Sequence, residues 1–214
     1  MKKLLRHIIH FYNRSRLRNR TFSLITNTCI GGIISHELKL RFLSPTVNCG
    51  IRDHDEFFTF CRYLDHYLTL PIDFIPSQWS YPVAVLHGKY GDVTVYFTHY
   101  HSREEAKTKW EERIQRVHYD NLIILMDGDN CTEQQLQAFD TLPQQRKAVI
   151  AMSEHPELKS VWTIKHSRYK QSQILEYGLL HHTIRWFELF DYVHFFNTGK
   201  IQDNALFRNK KKNH

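Results

Sequence analysis

Two aspartates separated by one residue, Asp127 and Asp129, directly follow the apolar run at residues 122–126. Carboxylates spaced in this way on a loop can share one divalent cation. Mg²⁺ or Mn²⁺ suits such oxygen ligands and keeps coordination positions for substrate phosphates. Asp-Gly is also a common turn-forming pair. The spacing therefore leaves two interpretations open, a metal site and a tight turn that only ends a buried strand.

Two histidines, His99 and His101, stand at the end of an earlier apolar alternation. An imidazole titrates near neutral pH, so His99 could act as general base for an acceptor hydroxyl. His99 continues the face formed by Val93, Val95 and Phe97, which predicts a position beside the acidic turn if the two strands pair. A hydrogen-bonded histidine at the edge of the core is the alternative. His101 precedes a helix cap and is expected to be exposed, as a substrate contact.

Arg113 and Arg116 stand three residues apart on one predicted helix. The planar fork of a guanidinium suits diphosphate oxygens, which makes both arginines candidate substrate contacts. Salt bridges on the helix surface, to Glu112 or Asp120, are the alternative.

Asn27 and Cys29 belong to a third candidate element, Asn-Thr-Cys-Ile-Gly-Gly at residues 27–32. At a strand–helix junction, backbone N–H groups of this segment could bind a phosphate. Cys29 could instead be a nucleophile paired with His99, and Asn27 could contact a ligand. The default alternative is that the two glycines only form a tight turn.

The elements that must position these residues alternate between strands and helices. Capping boxes at Ser102/Glu105 and Thr132/Gln135 mark two helix starts. The continuous apolar run at 122–126 suits a strand buried on both faces of a parallel sheet. The predicted strands are 21–28, 92–100, 122–126, 147–152 and 191–197, and the predicted helices are 30–38, 55–68, 103–117, 132–139 and one within 171–189.

This alternation predicts an α/β domain with parallel strand pairing and right-handed crossovers. Ligands of an open parallel sheet sit beyond the carboxyl ends of its strands. The candidate residues above cluster at those ends, as do Ser153, Glu154 and His155.

The net charge of +7 is concentrated at the two ends of the chain. Residues 1–20 and 208–214 carry eleven basic residues and no acidic one, which leaves 18 basic and 22 acidic residues in the body. Nucleic acid is therefore not expected as a partner. Basic ends can bind an anionic membrane surface, or they can be solvated, poorly ordered tails. The expected organisation is a basic segment at 1–20, one domain at 21–200 and a basic tail at 201–214.

The apolar positions within residues 4–12 repeat at helical spacing, so this segment could lie on a membrane or dock on the body. The segment is too short and too polar to cross a membrane. Four cysteines without paired metal spacing are expected to be free thiols in a reducing cytoplasm.

Three blocks carry a family resemblance: ITNTCIGGIISHELKLRFLSPTV at 25–47, FTHYHSREEAKTKWEERIQRVHYDNLIILMDGDNCT at 97–132, and FDYVHFFNTG at 190–199. They resemble the bacterial domain of unknown function 1919 family, often labelled exopolysaccharide biosynthesis protein. The family more often has tryptophan where this chain has Ile30, and Asp-Arg-Asp-Gly where this chain has Asp-Gly-Asp-Asn. Both aspartates are kept, whereas a role of that arginine cannot be carried over. The resemblance implies a three-layer α/β/α fold with a mixed, largely parallel sheet.

The leading functional hypothesis combines that resemblance with the residues. The aspartate pair resembles the Asp-x-Asp element of glycosyltransferases, in which a metal neutralises the leaving nucleoside diphosphate as a Lewis acid. We therefore expect a transferase of polysaccharide assembly that uses a nucleotide sugar, in the cytoplasm or peripherally at the inner membrane face. Acyl transfer to a saccharide through Cys29 and His99 is a second hypothesis. A non-catalytic carbohydrate-binding or scaffold protein is a third.

Overall fold

The computed structural model describes residues 2–164 and 184–207. The strands are β1 (Ser23–Ile25), β2 (Asp73–Ile75), β3 (Val83–Gly88), β4 (Gly91–Tyr96), β5 (Leu122–Asp127), β6 (Lys147–Ala151) and β7 (Val161–Thr163). The α-helices are α1 (Lys2–Arg16), α2 (Ile30–Glu37), α3 (His54–Arg62), α4 (Leu64–Tyr67), α5 (Arg103–Ile114), α6 (Glu133–Asp140) and α7 (Tyr192–Thr198). Short 3-10 helices lie at Tyr119–Asn121, Trp186–Glu188 and Ala205–Phe207.

A four-stranded parallel sheet in the order β1-β5-β6-β7 forms the centre of the fold. Alternate residues of β5 belong to opposite faces. Ile124 and Met126 pack with α3 and α6, whereas Ile123 and Leu125 pack with α2 and α7. Burial on both faces explains why the strand is a continuous apolar run. The predicted α/β class, with helices on both sides of a sheet, is confirmed.

A second, antiparallel sheet has the order β2-β3-β4 and packs in the same cluster as α3 and α5. The prediction was one mixed, largely parallel sheet. The structure has both kinds of pairing, but the parallel pairs belong to the four-stranded sheet and the antiparallel pairs to this second sheet. The strand predicted at 92–100 exists as β4, but its predicted pairing with β5 was wrong. Instead, β4 forms a hairpin with β3 through a turn at Lys89 and Tyr90, and Gly91, which follows the turn, has a φ of +118°. Gly50 and Tyr96 exchange backbone hydrogen bonds of 2.8 Å and link the end of β4 to the loop that follows α2.

The predicted final strand at 191–197 was wrong, because these residues form α7. Asp191 is the N-cap, and its side chain accepts a hydrogen bond from the His194 N–H at 3.1 Å. Gly199 ends the helix in the left-handed region, with φ of +74°. The cap and the glycine override the strand preference of the aromatic residues between them.

The remaining helix predictions are largely confirmed. Ser102 and Thr132 cap α5 and α6 as the capping boxes predict, and the helical spacing in residues 4–12 corresponds to α1. The helix predicted at 55–68 is divided at Tyr63 into α3 and α4. Most of the prediction at 171–189 lies outside the described residues. Among the residues that the structure describes, no helix is both long and apolar enough to cross a bilayer.

Candidate functional site

Asp127 is the last residue of β5 and lies at the carboxyl edge of the parallel sheet, where only 2% of its surface is exposed. Its position is set by Asn27, which follows the neighbouring strand β1. The Asn27 side-chain amide accepts a hydrogen bond from the Asp127 N–H and donates one to the Asp127 carbonyl oxygen, both at 2.9 Å. The two residues predicted to converge at this edge are therefore in direct contact.

The Asp127 carboxylate is only partly satisfied. Its Oδ1 accepts a hydrogen bond from the Asp129 N–H at 3.1 Å, but its buried Oδ2 has no hydrogen-bond partner among the described residues. Burial, and to a lesser extent the negative charge of Asp129, raises the pKa of Asp127 to about 7, although the Asp129 N–H opposes this shift. Such a carboxylate is a poorly solvated anion that would be stabilised by a cation.

Asp129 adds a second buried carboxylate two residues later, with 9% of its surface exposed. Within the described part of the chain, its buried Oδ1 also lacks a hydrogen-bond partner. Burial raises the pKa of Asp129, while a hydrogen bond from the main chain at Asn130 and the nearby His54 lower it in part. The pair therefore presents two unpartnered carboxylate oxygens at one turn.

The turn that carries both aspartates depends on Gly128 and Asn130. The Gly128 N–H donates to the Ile150 carbonyl oxygen at 2.9 Å and extends the β5–β6 pairing. A Cβ at Gly128 would lie 2.5 Å from Val149 Cγ2 and 3.0 Å from the Ile150 oxygen. Asn130 has a left-handed φ of +60°, which asparagine adopts more readily than most residues. Close packing against β6 explains why glycine separates the aspartates here.

Cys29 precedes the first residue of α2, and its side chain makes no capping hydrogen bond. Burial, followed by the negative charge of Asp127, raises the pKa of the Cys29 thiol. A thiolate is the nucleophilic form, so this environment disfavours nucleophilic use of Cys29. The following glycines allow close packing, since a Cβ at Gly31 would lie 2.6 Å from Thr26 Oγ1, and one at Gly32 would lie 2.7 Å from Asn48 Oδ1.

His99 and His101 are both exposed and lie beyond the end of β4, which belongs to the antiparallel sheet. The premise that placed His99 beside the acidic turn, pairing of β4 with β5, is therefore corrected. A main-chain route still connects the two regions, because the Asn27 carbonyl oxygen accepts from the Ile51 N–H at 3.0 Å and Gly50 pairs with Tyr96. The base role of His99 and the substrate contact of His101 stay predictions.

Arg113 is buried and makes structural contacts. Its guanidinium donates to the Val47 carbonyl oxygen at 2.8 Å and to the Tyr100 hydroxyl, and it lies 5.3 Å from the centroid of the Phe42 ring. Arg116 instead pairs with Glu112 at 3.3 Å on the helix surface, as the alternative prediction had it. In the described structure neither arginine contacts the acidic turn, so phosphate binding by them stays a prediction.

A second polar cluster, at the carboxyl edge of β6, was not predicted as a unit. His155 lies between Ser153 and Glu157, with Nε2 at 2.8 Å from Ser153 Oγ and Nδ1 at 3.3 Å from Glu157 Oε1. Donor atoms of Glu133, His155 and Glu157 lie within 4.8 Å of one another. These three residues could hold a divalent cation, and they form a rival to the aspartate pair. Their one sequence signal was the run of polar residues after β6.

A sulfur–imidazole contact also lies beside the acidic turn, where Cys131 Sγ is 3.3 Å from His54 Nδ1. Burial and the charges of Asp127, Asp55 and Asp129 raise the pKa of the Cys131 thiol to about 12. Sequence spacing could not have paired this cysteine with a histidine 77 residues away. Burial and the negative charges around the acidic turn thus disfavour a thiolate at Cys131.

Comparison with known proteins adds a family and one relative. The family model described as "Domain of unknown function (DUF1919)" matches residues 1–197, which includes α1 and both sheets. A protein of Haemophilus influenzae described as "Uncharacterized protein" is 38% identical over 196 residues, which cover 87% of this chain and 91% of the relative. The match with the family model spans most of the chain.

Proposed function

The chain belongs to the family described as domain of unknown function (DUF1919), and we propose that it is a metal-dependent glycosyltransferase of surface-polysaccharide assembly that uses a nucleotide sugar. The family assignment does not itself supply an activity. The proposal rests on the chemistry of the acidic turn at the carboxyl edge of the parallel sheet, where an α/β fold offers a ligand site.

The observation that carries the proposal is the pair of unpartnered carboxylate oxygens, Asp127 Oδ2 and Asp129 Oδ1. Burying a carboxylate oxygen without a donor or a cation is costly, and one oxygen of each aspartate lacks such a partner among the described residues. A turn that served only to reverse the chain would be satisfied by asparagine or serine without this cost. Mg²⁺ or Mn²⁺ would supply the missing charge and would accept both oxygens as ligands.

In the proposed reaction, the acceptor hydroxyl oxygen forms a bond to the anomeric carbon of the sugar, and its proton passes to a base. The bond from that carbon to the diphosphate oxygen breaks, and its electron pair leaves with the nucleoside diphosphate. The bound metal would neutralise that leaving group. Asp127 and Asp129 would hold the metal, and Asn27 would hold Asp127 through its two hydrogen bonds.

Phosphate binding in this proposal falls to backbone N–H groups at the start of α2 rather than to Arg113, whose guanidinium is engaged with Val47 and Tyr100. The N-terminus of a helix favours anions. The start of α2 lies near the acidic turn, since the negative charge of Asp127 contributes to the raised pKa of the Cys29 thiol. His99 stays the proposed base or acceptor contact. The raised pKa of the Cys29 thiol makes acyl transfer through that residue the less favoured alternative.

The proposed setting is the cytoplasm, at the inner face of the membrane, where lipid-linked saccharide acceptors are found. The acceptor would be the hydroxyl of a saccharide, and the donor a nucleoside diphosphate sugar.

Calorimetric titration of the protein with a panel of nucleotide sugars, with and without Mn²⁺, tests the proposal. We expect Mn²⁺-dependent binding by the parent protein and its loss in Asp129→Asn, which keeps the size of the side chain. His155→Ala is the matched control, because it removes a ligand from the rival cluster of Glu133, His155 and Glu157.

The outcomes of that titration distinguish the two candidate metal sites and a non-catalytic protein. Binding lost in Asp129→Asn and kept in His155→Ala would support the aspartate pair. Binding lost only in His155→Ala would place the metal at the rival cluster and overturn this assignment. Sugar binding without Mn²⁺ and unchanged in both variants would favour a non-catalytic carbohydrate-binding protein.

A further inference from the structure

The N-terminal helix α1 presents an unusual outer face. Phe11 is 71% exposed, Leu4 is 67% exposed and Ile8 is 56% exposed, and these positions follow one another at helical spacing. Leu5 and Tyr12 extend the same face and are also exposed. Five large apolar side chains on one side of a single helix form a contiguous patch, and such patches in soluble proteins mark interaction surfaces. We call these five residues the α1 patch.

The opposite face of α1 attaches the helix to the body mainly through polar contacts. Arg6 forms ion pairs with Glu37 at 3.0 Å and Glu188 at 2.5 Å, and Arg16 pairs with Asp191 at 2.5 Å. Ile9 and Leu17 are the buried apolar residues of this segment. The usual polarity of a surface helix is therefore inverted, because its charged side faces inward and most of its large apolar residues face outward. Packing on the described part of the body does not account for the α1 patch.

The charged residues at the border of the α1 patch are basic. Arg14 is half-buried, and Arg18 and Arg20 just beyond the helix are exposed, although the Arg20 guanidinium donates to the Leu38 carbonyl oxygen at 3.4 Å. Arg16, Arg18 and His194 line an open recess of about 500 Å³ at the C-terminal end of α1. Residues 1–20 contain no acidic residue, whereas the body is net acidic. The surface that covers the α1 patch should therefore be apolar and anionic together.

We propose that α1 docks flat on an anionic phospholipid bilayer, with the α1 patch at the boundary between headgroups and acyl chains and Arg14 and Arg18 toward the lipid phosphates. An interfacial helix with an apolar face and basic flanks binds membranes in this way. A second copy of the chain is a poorer occupant, because it would bring the same basic border. The inference concerns where the protein works and does not depend on the proposed reaction.

Co-sedimentation of the full chain with vesicles tests the proposal, in the absence of nucleotide sugar and added metal. We expect binding to phosphatidylcholine vesicles that contain about 30 mol% phosphatidylglycerol, and weak binding to pure phosphatidylcholine. Ile8→Ser/Phe11→Ser should weaken binding to the anionic vesicles at least about tenfold, since it removes two large apolar side chains from the surface that the bilayer would bury. Neither side chain is buried against the body, so circular dichroism should show an unchanged fold.

Two controls make the result decisive. Tyr119→Ser removes an aromatic residue that is 52% exposed elsewhere on the surface, and it should leave vesicle binding unchanged. The tryptophan emission of Phe11→Trp minus that of the parent protein reports on the added indole. Adding vesicles should shift this difference spectrum to shorter wavelength, as expected for an indole that enters the interface. Equal binding by the parent and the double serine variant would overturn the proposal, because it would assign adsorption to charge alone. Self-association through the α1 patch, or its capture of an acidic protein with no vesicle binding, would also overturn it.

Discussion

The side-chain amide of Asn27 holds the main chain of Asp127 from both sides, accepting from its N–H and donating to its carbonyl oxygen, each at 2.9 Å. The contact lies beyond the last backbone pair of the two strands, Ile25 with Ile124. The Asn27 side-chain amide thus makes the hydrogen bonds to the Asp127 main chain that a neighbouring strand would otherwise make. It fixes the residue from which the acidic turn begins.

Asn27→Ala should destabilise the protein by on the order of 2–4 kcal/mol, because it removes two buried hydrogen bonds and leaves a main-chain donor and acceptor unsatisfied. Urea denaturation at neutral pH measures the change in the free energy of unfolding. Asn27→Asp keeps one acceptor but adds a negative charge beside Asp127, so it should be destabilised more at pH 8 than at pH 5. An alanine variant within about 0.5 kcal/mol of the parent would contradict the structural role.

Asp127→Asn should change how stability depends on pH. The pKa of Asp127 is raised by burial from 3.8 to about 7, so the native state binds a proton between these values that the unfolded state lacks. The parent therefore loses stability as pH rises from about 4 to about 7, and the cost is complete above that range. Because one pKa unit corresponds to about 1.4 kcal/mol, the variant should be more stable than the metal-free parent at pH 8 by roughly 4 kcal/mol.

The measurement for Asp127→Asn is the difference in free energy of unfolding between variant and parent, in EDTA, at pH 4, 6 and 8. Taking the difference removes the similar contributions of Glu37 and Glu188, whose pKa values burial raises to about 7. The two proteins should be nearly equal at pH 4 and diverge steadily above it. Parallel pH profiles would show that Asp127 is not an uncompensated buried carboxylate.

Gly128→Ala should destabilise the protein and disturb the acidic turn. The new Cβ would lie 2.5 Å from Val149 Cγ2 and 3.0 Å from the Ile150 carbonyl oxygen, and overpacking of this kind costs about 1–3 kcal/mol. Gly50→Ala is the matched control, since among the described residues a Cβ there would come within 4 Å of the Asn27 carbonyl oxygen alone, at 3.4 Å. Thermal melting compares the two, and an equal loss in both would be evidence against a special requirement at Gly128.

The central strands were predictable because a strand buried on two faces has a continuous apolar run in its own sequence. The apolar runs that became β5 and β6 specify burial without any knowledge of neighbours. The pairing of β4 was not local in this sense, because alternation shows one buried face but not the strand beside it. The hairpin turn before Gly91 was the signal that could have corrected it. In α7, a cap and a terminal glycine decided the structure, and the aromatic run between them was misleading.

The site was predictable to the same extent. Asn27, Asp127 and Asp129 converge because parallel strands end at one edge, which follows from the topology alone. The proximity of Glu133, at the start of α6, to His155 and Glu157 depends on the path of the loop after β6, which spacing does not determine. The burial of Arg113 had a signal that was outweighed by its charge, since it continues the buried positions Ala106 and Trp110 at helical spacing.

Arg113 and Arg116 offer a final test, because two arginines on one helix have opposite environments. Arg113→Ala should cost on the order of 2–4 kcal/mol of stability, since it removes the guanidinium donor from the Val47 carbonyl oxygen and the Tyr100 hydroxyl and removes packing on Phe42. Arg116→Ala should change stability by less than about 0.5 kcal/mol, because its ion pair with Glu112 is on the surface.

Arg113→Lys separates this structural role from phosphate binding. Lysine keeps the charge but loses the planar guanidinium that lies over the Phe42 ring and whose Nη1 donates to both Val47 and Tyr100. We expect a lower melting temperature and an unchanged affinity for a nucleotide sugar at a temperature where the variant is folded. The reverse result, an unchanged melting temperature with weakened affinity, would show that Arg113 contacts the nucleotide sugar. Because both quantities are measured on the same sample, a loss of binding through unfolding cannot be mistaken for a loss of contact.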